Sequence, residues 1–540
     1  MDTLHKRLLA TGGVVLLVLS VFMFTGCGND DDATVTPVPA QSNFISAELI
    51  ESLSFDDVIK NAGETDETGP LHRKRQEIVQ RMWTEMNAKA KTTAGLKFKN
   101  TNGTNVTLHS ESEVKNFCDT NNLKIDALCP YVDTFKVKYS TTSANGETIT
   151  ASARVLINYG TAFFVTWYAV TDAILLHCHA TQMENSKTPT SQSGFGASEC
   201  GLLYGEAWSD IMVVSPDYEG YGETKDRVHP YLIQDITAQQ CWDAARAAKK
   251  WKDDNYGGCE DDFYTVAAGF SQGGSVALAT QKYVQNSFTD NGLNFIGSLC
   301  GDGPYDPFAT YSRYAKDDYG LYLPSVLTLI LRAYLYYYKD TLLQGFTVEN
   351  YLKPEVIAKL QENDPDGKGN VWGMIDSKTK STSDVDGVIK DAVGKKDNDN
   401  ILVSDMLTAE AINPESKAYK ALKSALDLNN LTDPGKWSGA KNDKTIGVMH
   451  WGNDEAVPYE NLKSLKNSLT VKDKSWSEDD QSKIYALIDF LDTFGISDSL
   501  DDVKLLFTHP DVHAGAHIAA GKLYFLGNIF WRGDYKRNNL

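Results

Sequence analysis

Basic residues are scarce and scattered in this chain. Asp and Glu outnumber Lys and Arg by 72 to 52 over 540 residues, a formal charge of −20. No stretch of Lys and Arg is dense enough to follow a phosphate backbone, which excludes a nucleic-acid partner. The acidity reads as solubility. Cysteine is sparse too, at eight. None stands in a strand-turn-helix setting, which argues against a cysteine nucleophile, and no Cys or carboxylate spacing suggests a metal site; no cofactor is expected. Without Cys27 the number is odd, so at least one thiol stays free or pairs with another chain. Cys118 and Cys129 are the one candidate disulfide. Long apolar runs occur in two places only, Leu8 to Phe24 and Tyr319 to Tyr338. Arg332 interrupts the second, and Lys316, Asp317 and Asp318 crowd its start, so it is not expected to span a membrane.

The first run has a targeting function. His5, Lys6 and Arg7 precede it, and Phe24-Thr25-Gly26-Cys27 follows, which resembles a bacterial lipobox with Phe24 where Leu is usual. Residues 1–26 then read as a lipoprotein signal peptide and Cys27 as the lipidated residue, its acyl chains holding the protein to a membrane. Gly28-Asn29-Asp30-Asp31-Asp32 resembles the acidic export signal of surface lipoproteins in some Gram-negative bacteria, which implies an anchor in the cell envelope, at the outer membrane. The Pro-, Thr- and Ala-rich stretch within 27–45 is too polar to fold and serves as a tether.

Residues 46–131 carry one clear helix, Arg73 to Lys91, and read as an N-terminal extension. From Asp133 the pattern changes. Phe135 to Ser140 and Thr148 to Ile157 alternate around Asn145-Gly146, a hairpin signal. Short apolar strands at Ala173 to His177, Ile211 to Ser215, Phe263 to Ala268 and Asn294 to Cys300 alternate with helices, including Ile236 to Trp251. That order predicts an α/β fold, a mostly parallel sheet with helices on both faces. Residues 132–315 form its first part. Over 316–435 the alternation stops; the apolar segment Tyr319 to Tyr338 must be covered in a soluble protein, as it would be in a helical cap. Residues 436–540 resume the core with strands Thr445 to His450 and Val503 to Thr508, an intervening helix Ser477 to Phe494, and a final helix from Ala516 to Trp531. Asp364-Pro365-Asp366-Gly367-Lys368 reads as a turn and not a calcium loop, because Lys368 occupies a ligand position.

The chemistry centres on Gly269-Phe270-Ser271-Gln272-Gly273. A strand leads in and a helix leads out, the sequence form of a nucleophile elbow, where a serine sits on a strained turn above a sheet. Gly269 and Gly273 are needed because a Cβ there would clash between strand and helix. A serine hydroxyl needs a base to take its proton and an acid to orient the base. The loop after Ile446 to His450 offers Asp454, with Glu455 as runner-up. Three histidines follow the last strand: His509, too near its end, His513 in the loop, and His517, already helical. His513 is the expected base and His517 the alternative. The expected oxyanion donors are the backbone N–H of Gln272 and one from the loop His177-Cys178-His179-Ala180-Thr181-Gln182.

Pro216-Asp217-Tyr218-Glu219-Gly220-Tyr221-Gly222, then Tyr231-Leu232 and Asp243, resembles the strand-four region of secretory lipases of the lipase-A type. The family's His-Gly-Thr oxyanion loop is matched by His179-Ala180-Thr181, with Ala180 in place of Gly, so Thr181 would supply the second amide. Its elbow, acid loop and late histidine fall on Ser271, on Gly452-Asn453-Asp454 running to Val457-Pro458, and on His513. The resemblance, over roughly 131–540, implies an α/β-hydrolase fold with a helical cap before the acid strand and a serine esterase or lipase acting on carboxylic esters. A serine peptidase would use the same groups, although no β-propeller-like domain of the kind that gates some peptidases is visible. A metal-dependent hydrolase built on His177 and His179, two apart on a strand, is a less favoured alternative. A non-catalytic binding lipoprotein would show a degenerate set of these residues, and none is seen.

Overall fold

The alternating segments around Asn145-Gly146 form the longest hairpin of the chain. In the computed structural model, which describes residues 43–473 apart from short internal stretches and then His517, Ala520 and Tyr524, strand β2 (Cys129–Thr142) pairs antiparallel with β3 (Thr148–Ala162). Gly146 takes φ +81° in the connecting turn, a conformation that glycine adopts without a Cβ penalty. The extension contributes more than packing. Strand β1 (Phe44–Ser54) pairs antiparallel with β2, from Phe44 opposite Tyr139 to Ser54 opposite Tyr131. Helix α1 (Pro70–Ala90) covers the predicted helical segment.

The strands that follow are β4 (Thr171–Cys178), β5 (Ile211–Pro216), β6 (Cys259–Phe270), β7 (Phe295–Gly301), β8 (Thr445–Met449) and β9 (Lys472–Asp473). They extend the hairpin into a ten-stranded sheet of order β1-β2-β3-β5-β4-β6-β7-β8-β9, with Val165–Tyr168 paired beside β3. β3 meets β5 antiparallel, and every pair from β5 to β9 is parallel. Successive side chains of the parallel strands serve opposite faces. Ile174, Leu176, Met212 and Val214 pack under helices α3 (Gln234–Asn255) and α4 (Gln272–Ser287), with Trp242 and Leu278. Ala173, Leu175, Ile211 and Val213 face α1 and helix α2 (Glu199–Ala207), with Ile78, Met82 and Leu203. Burial on both faces explains why these strands are continuously apolar.

The cap segment has its own core. Helix α6 (Pro324–Tyr337) buries Leu327, Leu329, Ile330, Leu331, Ala333 and Tyr334 among Leu360, Val385, Ile389, Leu422 and Leu426. Helix α5 (Pro307–Tyr314) precedes it, and α7 (Thr382–Ala392) and α8 (Lys417–Leu428) follow. Arg332, the charge inside the apolar run, is held by a bidentate pair with Asp376 at 2.8–3.1 Å. No described helix is long and apolar enough to cross a membrane. At 364–370 the carboxylate of Asp364 accepts the amides of Lys368 and Asn370 at 3.0 Å, closing a turn. Cys118 and Cys129 are free thiols, a correction to the candidate disulfide; Cys129 Sγ instead donates to Asp56 at 3.2 Å. The signal peptide, Cys27, the strand at 503–508 and the helix at 477–494 lie outside the described residues.

Candidate active site

Ser271 is the first residue beyond β6 and lies in left-handed backbone, φ +57°. For a non-glycine residue that region is sparsely populated and strained. It is held there by close backbone packing. Ser271 N–H donates to Gly301 O at 2.9 Å across to the end of β7. A Cβ on Gly269 would lie 2.4 Å from the carbonyl oxygens of Cys178 and Gly273, and one on Gly273 only 1.9 Å from that of Cys178. The glycines flanking the serine are therefore steric requirements, as their spacing implied.

Asp454 lies in the loop after β8, fully buried. Its Oδ1 accepts the amides of Ala456 at 2.8 Å and Val457 at 2.7 Å, and its Oδ2 meets His517 Nδ1 at 2.5 Å. His517 Nε2 lies 3.0 Å from Ser271 Oγ. His513, the expected base, lies outside the described residues, and the imidazole that meets Ser271 is that of the alternative, His517. Being helical, the ground on which it was passed over, is what aims it. The backbone N–H of His517 donates to Glu455 Oε2 at 3.1 Å, which fixes the ring between Asp454 and Ser271. Glu455, the runner-up acid, thus holds the backbone of His517.

The charges follow from these contacts. Burial alone would raise Asp454, but the His517 ring and then His450 more than offset it, so the carboxyl is held below the usual range. Burial likewise acts to lower His517, and the Asp454 carboxylate, with Glu455 behind it, outweighs burial and raises it. A hydroxyl bonded to an imidazole, itself oriented by a carboxylate, is the arrangement in which the imidazole can accept the hydroxyl proton.

Gln272 opens α4, where the first amides of a helix lack intrahelical partners. Its side chain is anchored: Gln272 Nε2 donates to His229 Nε2 at 2.9 Å, and His229 Nδ1 donates to Glu219 O at 2.8 Å. That pattern requires a neutral ring, and burial, followed by Lys378, pushes His229 down to about 3. Across the site, the Ala180 amide is taken by the Glu199 carboxylate at 3.0 Å, and Thr181 Oγ1 bonds the Tyr231 hydroxyl at 2.9 Å. His177 engages Ser215 and Glu199 with its two nitrogens, at 2.8 and 2.9 Å, while His179 stacks on Tyr218 and bonds Ala180 O. The pair therefore shapes the loop through these contacts. The Asp217-to-Gly222 segment buttresses the same loop, with Tyr218 donating to His179 O at 3.0 Å and Tyr221 to Gln182 O. Sequence reasoning had found this segment but not its mechanical role.

Ser271 and His517 open into a cavity of about 300 Å³, lined by Thr181, Leu202, Phe270 and Tyr314 and by Val326 and Ile330 of the cap helix α6. A parallel sheet with the antiparallel hairpin at one edge, a strained serine between β6 and α4, and an acid loop after β8 together define the architecture. This is an α/β-hydrolase fold. Solved structures agree. The rice cell wall degrading esterase LipA of Xanthomonas oryzae is similar over 86% of this chain and 98% of its own, at 16% identity and TM-score 0.52. A single-substitution form of that esterase gives 17% identity, 99% of its own length and the same TM-score. A protein of Legionella pneumophila assigned as a hydrolase matches over 84% of this chain and 97% of its own, at 14% identity and TM-score 0.50. No protein-family model and no curated protein matches the sequence. Val326, Ile330 and Thr382, from the helical segment between β7 and β8, line the cavity beside Ser271.

Proposed function

We propose that this chain is a serine hydrolase that cleaves carboxylic esters. Ser271 Oγ attacks the ester carbonyl as His517 Nε2 takes its proton, with Asp454 stabilising the resulting imidazolium. The carbonyl oxygen becomes an oxyanion facing the amides of Gln272 and Thr181. Collapse of the tetrahedral intermediate expels the alcohol, which leaves with the proton from His517. Water, deprotonated by the same nitrogen, then hydrolyses the acyl-enzyme. The observation that carries this reading is the continuous chain Asp454–His517–Ser271, with contacts of 2.5 and 3.0 Å, at the mouth of an apolar cavity.

The apolar lining and the esterases among the structural neighbours favour esters over amides. The deciding experiment compares wild type with Ser271→Ala on p-nitrophenyl esters of increasing chain length and on aminoacyl amides. Loss of ester hydrolysis by a folded variant is expected, and activity that survives the substitution would refute the reading. Preference for the amides would make the enzyme a peptidase. A chelator should leave the rate unchanged. We further propose that Cys27 anchors the enzyme by lipid in a Gram-negative envelope, at the outer membrane. Labelled palmitate should enter the wild type and not Cys27→Ala, which should be released from membranes.

A further inference from the structure

Asp302 follows directly on β7, the strand between the one that ends at Ser271 and the one that leads to Asp454. Its backbone is pinned: its N–H donates to Met449 O at 2.9 Å, and φ is +36°, a strained value for a residue with a Cβ. Its side chain is wholly buried. Oδ1 accepts the Trp451 amide at 2.6 Å, while Oδ2 has no hydrogen-bond donor. One side-chain nitrogen or oxygen from each of Asp302, His450 and Asp454 lies within 4.8 Å of the others, so the two buried carboxyl groups face one another at close range.

Two buried carboxyls so close cannot both ionise, so one retains a proton. Asp454 has three donors, the amides of Ala456 and Val457 and His517 Nδ1. Asp302 has one, and a bare oxygen. The charge therefore stays on Asp454 and the proton on Asp302. We propose that Asp302 is a positioning residue, a neutral carboxylic acid whose Oδ2–H donates to the Asp454 carboxylate and holds it, singly charged, against His517. Burial, and next the charge of Asp454, push Asp302 well above the carboxylate range. The other groups around it are His450, 3.7 Å from Oδ1 and bonded to Val457 O, Glu455 in the same loop, His517 beyond Asp454, and the Tyr305 phenol.

The inference rests on the serine-hydrolase reading, and the test separates the two. The pH dependence of kcat/KM is measured for wild type, Asp302→Asn, Asp302→Ala and Ser271→Ala. Asn keeps an acceptor for Trp451 and a neutral donor for Asp454, so its rate should stay within about threefold of wild type, with the acidic limb unmoved. Ala removes the donor and leaves Asp454 more basic. Its rate should fall roughly tenfold or more and its acidic limb should move up in pH. A downward shift of about a unit in Asp302→Asn, as loss of a full charge would produce, overturns the proposal. So does a wild-type profile for a folded Asp302→Ala. If Asp302→Ala fails to fold, the limb of Asp302→Asn decides alone. Activity in Ser271→Ala would instead remove the reading beneath it.

Discussion

His517 and Tyr524, both buried, reach the serine turn from the same C-terminal region. The imidazole meets Ser271, while the Tyr524 hydroxyl accepts Gly269 N–H at 3.0 Å and donates to Leu299 O at 2.7 Å. The ring of Tyr524 packs where Gly301 has no side chain; a Cβ there would lie 2.6 Å from it. The two side chains thus hold Ser271 and the strand that leads to it. His517→Ala should lower kcat on a short ester by roughly three to four orders of magnitude, whereas His513→Ala stays within a few-fold. An inactive His513→Ala beside an active His517→Ala would reverse the assignment. Tyr524→Phe strands two buried backbone groups and should cost roughly 1–3 kcal/mol in chemical denaturation; unchanged stability would argue against the clamp.

The raised imidazole of His517 sets the pH dependence. The base works only unprotonated, so kcat/KM should fall with decreasing pH through a value above the ordinary 6.5. Stability has the opposite sign. A proton held more tightly in the folded state contributes stability that is fully present below 6.5 and lost as pH rises through the raised value. Activity therefore grows across the window in which this part of the stability is released. A flat profile between pH 5 and 8, or a limb below 6.5, would contradict the Asp454–His517 pairing.

The glycines of the elbow should tolerate no side chain. Gly273→Ala places a Cβ 1.9 Å from Cys178 O, a backbone atom at the end of β4 that cannot move alone. The expected loss is roughly 3 kcal/mol or more, or no soluble protein. Gly387, in the cap helix α7, has open space around its Cβ position. Gly387→Ala should stabilise by up to about 1 kcal/mol. Thermal unfolding of the two variants checks the contrast, and equal tolerance would sink the steric account.

Lys378 is a buried cation in the cap, Nζ 5.1 Å from the Tyr221 ring centroid and without a hydrogen-bond acceptor. Burial, only partly offset by Asp376, pushes it down to about 8. Between about 8 and 10.5 the unfolded chain binds the extra proton, so stability should rise with pH there. Lys378→Met should raise stability at pH 7 by roughly 1–3 kcal/mol. A less stable variant would mean that the contact with Tyr221 outweighs the burial penalty.

The strands, the elbow and Asp454 were legible because each signal is local. Ala173 to His177 and Ile211 to Ser215 are apolar at every position since both sheet faces are covered, and Gly269 and Gly273 answer to contacts within one turn. Strand β1 was not legible, because its partner lies roughly eighty to ninety-five residues on and its own sequence, Phe44 to Ser54, is interrupted by Glu48 and Glu51. Nor was Asp302 distinguishable from any residue that ends a strand. Cys118 and Cys129 were near in sequence, which says nothing of how their side chains point.

By itself the sequence determined the kinds of element, the serine and the reason its neighbours lack side chains, since periodicity and steric exclusion act over a few residues. That His517 meets Ser271 belonged to the tertiary structure. Only the sheet order brings the loop after β8 beside the end of β6, and only there do Glu455 and Asp454 select His517, by holding its amide and its ring.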